Sequence, residues 1–164
     1  MPISTATELT TAAFIYQRNQ DMLAKAIDGL TEEQWSERPL GACNSALWLL
    51  GHMTWARSRA LMLVGFTWTK PWLDLFARGS RPAETQLYPT ADEVQDAWQD
   101  LCSTFPATLE EIPQSILAQT VQQPSPSFDG TVGGMLSFLA MHESYHVGQV
   151  VYLRRLLGGE GIVG

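Results

Sequence analysis

Apolar residues recur at three- and four-residue steps through most of this chain, the spacing of one buried helical face. Between about Thr7 and Gly29 they fall at Leu9, Ala13, Tyr16, Leu23, Ala26 and Ile27, with Leu30 just beyond, which predicts a first long helix. Gly29 is placed to end it, because glycine readily takes the left-handed cap conformation. Leu30-Thr-Glu-Glu-Gln-Trp35 predicts a short helical start, with Thr31 as cap and Gln34 completing a capping box. Pro39 stops it. A second long helix is expected from Asn44 or Ser45 to Val64, dense in Leu, Met and Trp and closed by Gly65.

Residues 66–89 break the pattern. Trp68, Pro71, Trp72, Phe76, Gly79, Pro82 and Pro89 mix aromatics with breakers, which reads as a long connection with one helical turn near 71–78. A connection of this length is usually functional or a crossover. Thr90 starts the third helix, with Asp92 and Glu93 in its first turn and Val94, Trp98, Leu101 and Phe105 on its apolar face. Pro106 is expected to kink or split it before Leu109 and Ile112. Gln122 to Gly130 is loop, and a fourth helix runs from near Thr131 to Leu157, ending at Gly158-Gly159. No run alternates with the period of two that strands require. The expected fold is all-α: a four-helix bundle with a long crossover connection, residues 1–164 forming one domain.

The fourth helix carries the chemistry. Met135, Leu139, His142, His146, Gln149 and Leu153 share a face that begins and ends apolar, so it should point into the bundle. Unpaired buried polar groups cost roughly 1–3 kcal/mol each, so this stripe needs a shared partner. His142 and His146 are spaced to hold one metal ion, and Gln149 could bond a metal-bound water or a substrate. In the second helix Trp48, His52, Trp55 and Arg59 repeat the pattern, an imidazole between large apolar groups with a charge beyond. Convergence of His52 with His142 and His146 would use every histidine in the chain and leave coordination positions open. Three imidazoles suit zinc, nickel, copper and iron alike.

Trp48 and Trp55 are candidate walls of a substrate pocket, although an aromatic stripe at this spacing is more often plain core. Arg59, Arg154 and Arg155 read first as helix surface, the last two also suiting a helix C-terminus; as contacts for an anionic thiol they are candidates only on the family resemblance given below. Tyr145 is a candidate pocket hydroxyl. Glu143 lies about 100° round the helix from His142, nearer to a supporting or surface place than to a ligand's.

Charge and cysteine content narrow the partners. With 10 Lys+Arg against 17 Asp+Glu the 164-residue chain carries a net charge of −7, and it has no basic cluster. That is a poor match for nucleic-acid phosphates or an anionic membrane surface. Cys43 and Cys102 show no metal-binding or redox spacing and read as two reduced thiols. No apolar signal segment or membrane span is evident, so a cytoplasmic location is expected.

His142-Glu-Ser-Tyr-His146 also satisfies the H-E-x-x-H metallopeptidase pattern, with Glu143 as general base. The flanking sequence argues against it. Val147-Gly-Gln-Val-Val-Tyr152 offers no third histidine, Glu160 lies among terminal glycines, and no strand is expected to hold a peptide.

The run His142-Glu-Ser-Tyr-His-Val-Gly-Gln149, followed by Val-Val-Tyr-Leu-Arg-Arg-Leu-Leu-Gly158, resembles the last-helix pattern H-x-x-x-H-x-G-Q of the DinB/YfiT-like superfamily. Asn44-Ser-Ala-Leu-Trp-Leu-Leu-Gly-His52 is similar to that family's second helix, and Leu30–Trp35 and the Pro71–Phe76 run also fit. The resemblance implies a four-helix bundle with a long crossover, and a nickel or zinc site on His52, His142 and His146. It also implies a homodimer. Members with assigned chemistry use low-molecular-weight thiols in S-transfer and isomerisation; many others have no known substrate. The resulting expectation is a metal-dependent thiol S-transferase or hydrolase, against a non-catalytic bundle in which the ion serves as a staple.

Overall fold

The computed structural model describes residues 5–39, 41, 44–80 and 87–162, so Cys43 lies outside the described residues. These hold six α-helices: α1 (Thr5–Ile27), α2 (Glu32–Ser36), α3 (Ala46–Leu63), α4 (Ala91–Glu110), α5 (Gln114–Leu117) and α6 (Val132–Leu156). A 3₁₀ turn, Leu73–Phe76, sits in the α3–α4 connection. Among the described residues there is no strand, only an isolated bridge between Thr120 and Thr131.

The helix starts are local chemistry. Thr31, Ser45, Thr90 and Thr131 each hold extended backbone and accept, through the side-chain oxygen, a hydrogen bond from the N–H three residues on. Thr31–Gln34 forms the expected capping box, and Thr90–Glu93 forms a second. Gly29 follows α1 with φ 73°, as a left-handed cap requires.

Pro106 does not split its helix: α4 runs through it to Glu110, and only Ile112 lies beyond. The missing N–H and ring clash cost roughly 3 kcal/mol. Phe105 and Leu109, on either side, are both buried in one core cluster with Ala60 and Leu61. At about 1.5–3 kcal/mol per buried side chain, that packing is large enough to keep the last turn helical.

Round the bundle the order is α1, α6, α3, α4, each long helix touching two others. Their directions follow from register. Tyr16 donates to the Leu136 carbonyl, Asn19 to Ala140 and Arg154 to Ala26, so α1 and α6 ascend together. One core cluster joins Leu49, Leu50 and Met53 to Val94 and Trp98 and to Val150 and Leu153. The other joins Ala60 and Leu61 to Leu101 and Phe105 and to Leu136 and Leu139. Hence α3 and α4 are parallel neighbours and α6 opposes both. Parallel neighbours cannot be joined by a tight turn, and the 64–90 connection is therefore the expected crossover. It packs back onto α3 through Leu73 and Phe76, both buried. Gly51 makes this possible, since a methyl group there would overlap the Phe76 ring.

Candidate metal centre

The α3 histidine and the two α6 histidines meet. His52 Nε2 lies 3.4 Å from His142 Nε2, and His146 Nε2 lies 3.0 Å from the same atom. One ring nitrogen from each of the three falls within 4.8 Å of the others. Three nitrogens about 2.1 Å from one ion, at angles between octahedral and tetrahedral, stand roughly 3.0–3.4 Å apart. The two measured separations fall in that range.

The opposite edges of two rings are tied down. His52 Nδ1 lies 2.7 Å from the Phe76 carbonyl oxygen, and His146 Nδ1 lies 2.7 Å from Gln149 Oε1. Both partners accept, so both rings carry their proton on Nδ1 and present bare Nε2 lone pairs to the cluster. Metal-binding histidines are oriented in this way. Trp48 and Trp55 stack on His52 with ring centroids 4.8 and 5.6 Å away, nearly parallel, and hold it further. Gln149 thus orients His146 rather than reaching water or substrate through its oxygen. Its amide donates to the Tyr145 hydroxyl at 3.2 Å. Tyr145 stands edge-on to His146 and is largely exposed.

Burial pushes all three imidazole pKa values down, against raising hydrogen bonds from Phe76 on His52 and Gln149 on His146. His142 is lowered to about 4, by burial first, then by the neighbouring His146 and His52 and by the Arg78 guanidinium. The cluster is neutral at neutral pH, the form in which imidazole binds a metal. Lone pairs crowded together, neutral rings and anchored far edges fit a divalent cation.

Glu143 is not at this face. It is 1 % exposed, and Arg57 Nε and Nη2 donate to its two carboxylate oxygens at 2.7 and 2.9 Å. Arg57 also donates to the Tyr16 carbonyl and Cys102 Sγ, with its guanidinium carbon 4.2 Å from the Trp98 ring centroid. A carboxylate held at both oxygens is a poor general base, which removes the chemical core of the metallopeptidase reading. Burial pushes the Cys102 thiol up to about 11, so it stays protonated.

The remaining cations separate. Arg59 pairs with Asp74 at 2.8 Å and lies over Trp55, so its charge is already met. Arg154 donates to the Ala26 and Asp28 carbonyls, closing the end of α1, and Arg155 is exposed. Sequence reasoning missed Arg57, Phe76 and Arg78. An arginine among Ala56, Ser58 and Ala60 was a usable signal for the first. The Phe76 carbonyl carries no side-chain signature, and Arg78 comes near His142 only through the crossover.

Comparison with functionally curated proteins returns no match. The family model described as DinB superfamily matches residues 15–150, which takes in all three histidines and the whole crossover. With its all-helical bundle and its three-histidine cluster, the chain belongs to the DinB superfamily.

Proposed function

We propose that this protein is a divalent-metal-dependent enzyme for a small-molecule substrate, a thiol S-transferase or a hydrolase, with nickel or zinc held by His52, His142 and His146. The convergence of three Nε2 atoms, two of them on rings anchored from behind, carries the reading. Such an ion would supply Lewis acidity, lowering the pKa of a thiol or water in an open position. His52 and His146 stay neutral and fixed because Phe76 and Gln149 hold their Nδ1 protons. Trp48 and Trp55 keep water from the faces of His52.

An enzyme is favoured over a non-catalytic staple by the ligand count. Among the described residues no fourth His, Cys, Asp or Glu joins the group, whereas a structural zinc site is closed by four protein ligands. No helix among the described residues is long and apolar enough to cross a membrane. A cytoplasmic homodimer of one-domain chains completes the proposal, the dimer resting on family likeness alone.

Metal content by mass spectrometry on tag-free protein tests it. About one nickel or zinc per chain is expected in the wild type, and loss in both His52→Ala and His146→Ala. A wild type that purifies without metal and fails to take up added nickel or zinc sinks the proposal.

A further inference from the structure

The group that fixes His52 is a main-chain carbonyl on a connection, not a side chain on a helix. His52 Nδ1 lies 2.7 Å from the oxygen of Phe76, the last residue of the 3₁₀ turn Leu73–Phe76. A carbonyl in such a place is only as steady as the side chains that anchor it. Here the anchor is the side chain of the same residue. The Phe76 ring is 0 % exposed, edge-on to Trp72 at 5.7 Å between centroids and stacked on Tyr88 at 5.1 Å. It also rests on α3 at Gly51, the residue before His52.

Phe76 thus meets two adjacent residues of α3, its ring on Gly51 and its carbonyl on His52. The first contact has no slack. A Cβ at position 51 would stand 2.5 Å from Phe76 Cε1 and 2.6 Å from Cγ. To regain ordinary carbon–carbon contact the ring would have to withdraw by about 1 Å. The helix cannot yield instead, because Leu49, Leu50 and Met53 are packed against α4 and α6. A withdrawal of that size, carried to the carbonyl, stretches the 2.7 Å contact with His52 past the roughly 3.2 Å limit of a good N–H···O bond. Glycine inside a helix costs about 1 kcal/mol relative to alanine, so position 51 gives up helix stability for this fit.

We propose that Gly51 is a positioning residue of the histidine cluster. By admitting the Phe76 ring it brings the Phe76 carbonyl to His52 Nδ1, and so decides which nitrogen of that ring faces His142 and His146. The consequence for metal affinity rests on the metal-site reading above; the effect on the His52 tautomer does not.

The test has a metal-free arm and a nickel arm. In metal-free protein at about pH 8, where imidazole is neutral, nitrogen NMR should find the His52 proton on Nδ1 alone. Gly51→Ala should give a mixture of both tautomers. In a chelator competition, Gly51→Ala should bind nickel about tenfold more weakly, a usual effect of losing the acceptor behind a metal-binding histidine. Phe76→Ala, which removes the anchoring ring, should do the same. The double variant Gly51→Ala/Phe76→Ala should be no weaker than either single one, since both act through one ring. Leu101→Ala, a truncation in the other core cluster, should lower the melting temperature and leave nickel affinity unchanged. A Gly51→Ala protein that melts earlier but keeps the wild-type tautomer and affinity would make the glycine a packing residue only and overturn the inference, as would additive losses in the double variant. Should Gly51→Ala fail to fold, the wild type decides. Coupling is reciprocal, so nickel must slow hydrogen exchange of the Leu75 and Ala77 amides, which donate to Trp72 and Asp74 and hold the turn; unchanged exchange overturns the inference. A wild type that takes up no nickel sinks the metal reading, and the tautomer comparison then decides the role of Gly51 alone.

Discussion

Gln149 lies one turn beyond His146 and accepts its Nδ1 proton at 2.7 Å, which fixes both the tautomer and the ring angle. Removing the acceptor behind a metal-binding histidine typically weakens metal affinity by roughly 10–100-fold. Gln149→Leu should therefore lose affinity by about that factor in a chelator competition titration, with helix content unchanged; an unaltered affinity would show that Gln149 does not orient the site. The three histidines were candidate ligands in the sequence, because helical spacing puts His142 and His146 on one face and His52 sits in a similar apolar stripe; alone, His52 read more readily as a core residue satisfied by a hydrogen bond. The role of Gln149 was not legible there. Spacing shows that two side chains share a face, but not which atom of one lies nearer the other. His52 shows the same limit, since its partner is a backbone carbonyl donated by a segment that carries no pattern.

Between the helices the strongest polar link is Arg57–Glu143, with both side chains almost wholly buried. Arg57 sits on α3, Glu143 on α6 between the two histidines, and the guanidinium also touches Tyr16 of α1 and Trp98 and Cys102 of α4. Breaking a buried pair from one side leaves an uncompensated charge and costs about 3–5 kcal/mol, whereas replacing both partners by apolar groups is often neutral. Glu143→Leu should thus destabilise the protein by about that amount in urea denaturation, and Arg57→Met/Glu143→Leu should recover most of it. A double variant as unstable as the single would mean that the ion pair is irreplaceable to the fold. From sequence, Glu143 could be placed only as a residue off the histidine face, because its partner comes from a helix 86 positions away. Of the kink or split expected at Pro106, the split does not occur, for a related reason: the burial of Phe105 and Leu109 outweighs a local backbone defect.

At the scale of the molecule, burying three imidazoles together makes the metal-free protein sensitive to acid. Their folded pKa values lie below 6.5, His142 at about 4. Below pH 6.5 the unfolded chain takes up protons that the folded cluster refuses, so stability falls as pH drops, and His142 goes on contributing until it protonates near pH 4. The melting temperature of metal-free protein should decline more steeply between pH 6.5 and 4 than that of His142→Asn, with the curves parallel above that window; parallel curves throughout would refute the account. The all-helical class, the four long helices, their caps and the three histidine positions were set by the sequence alone, because apolar periodicity and capping chemistry act within a few residues. Tertiary structure decided what depends on contact between distant segments. That includes the parallel pairing of α3 with α4, the crossover laid against Gly51, the Arg57–Glu143 pair, and the meeting of His52 with His142 and His146. Packing brings these groups together, and no pattern within a single helix records which neighbour it will meet.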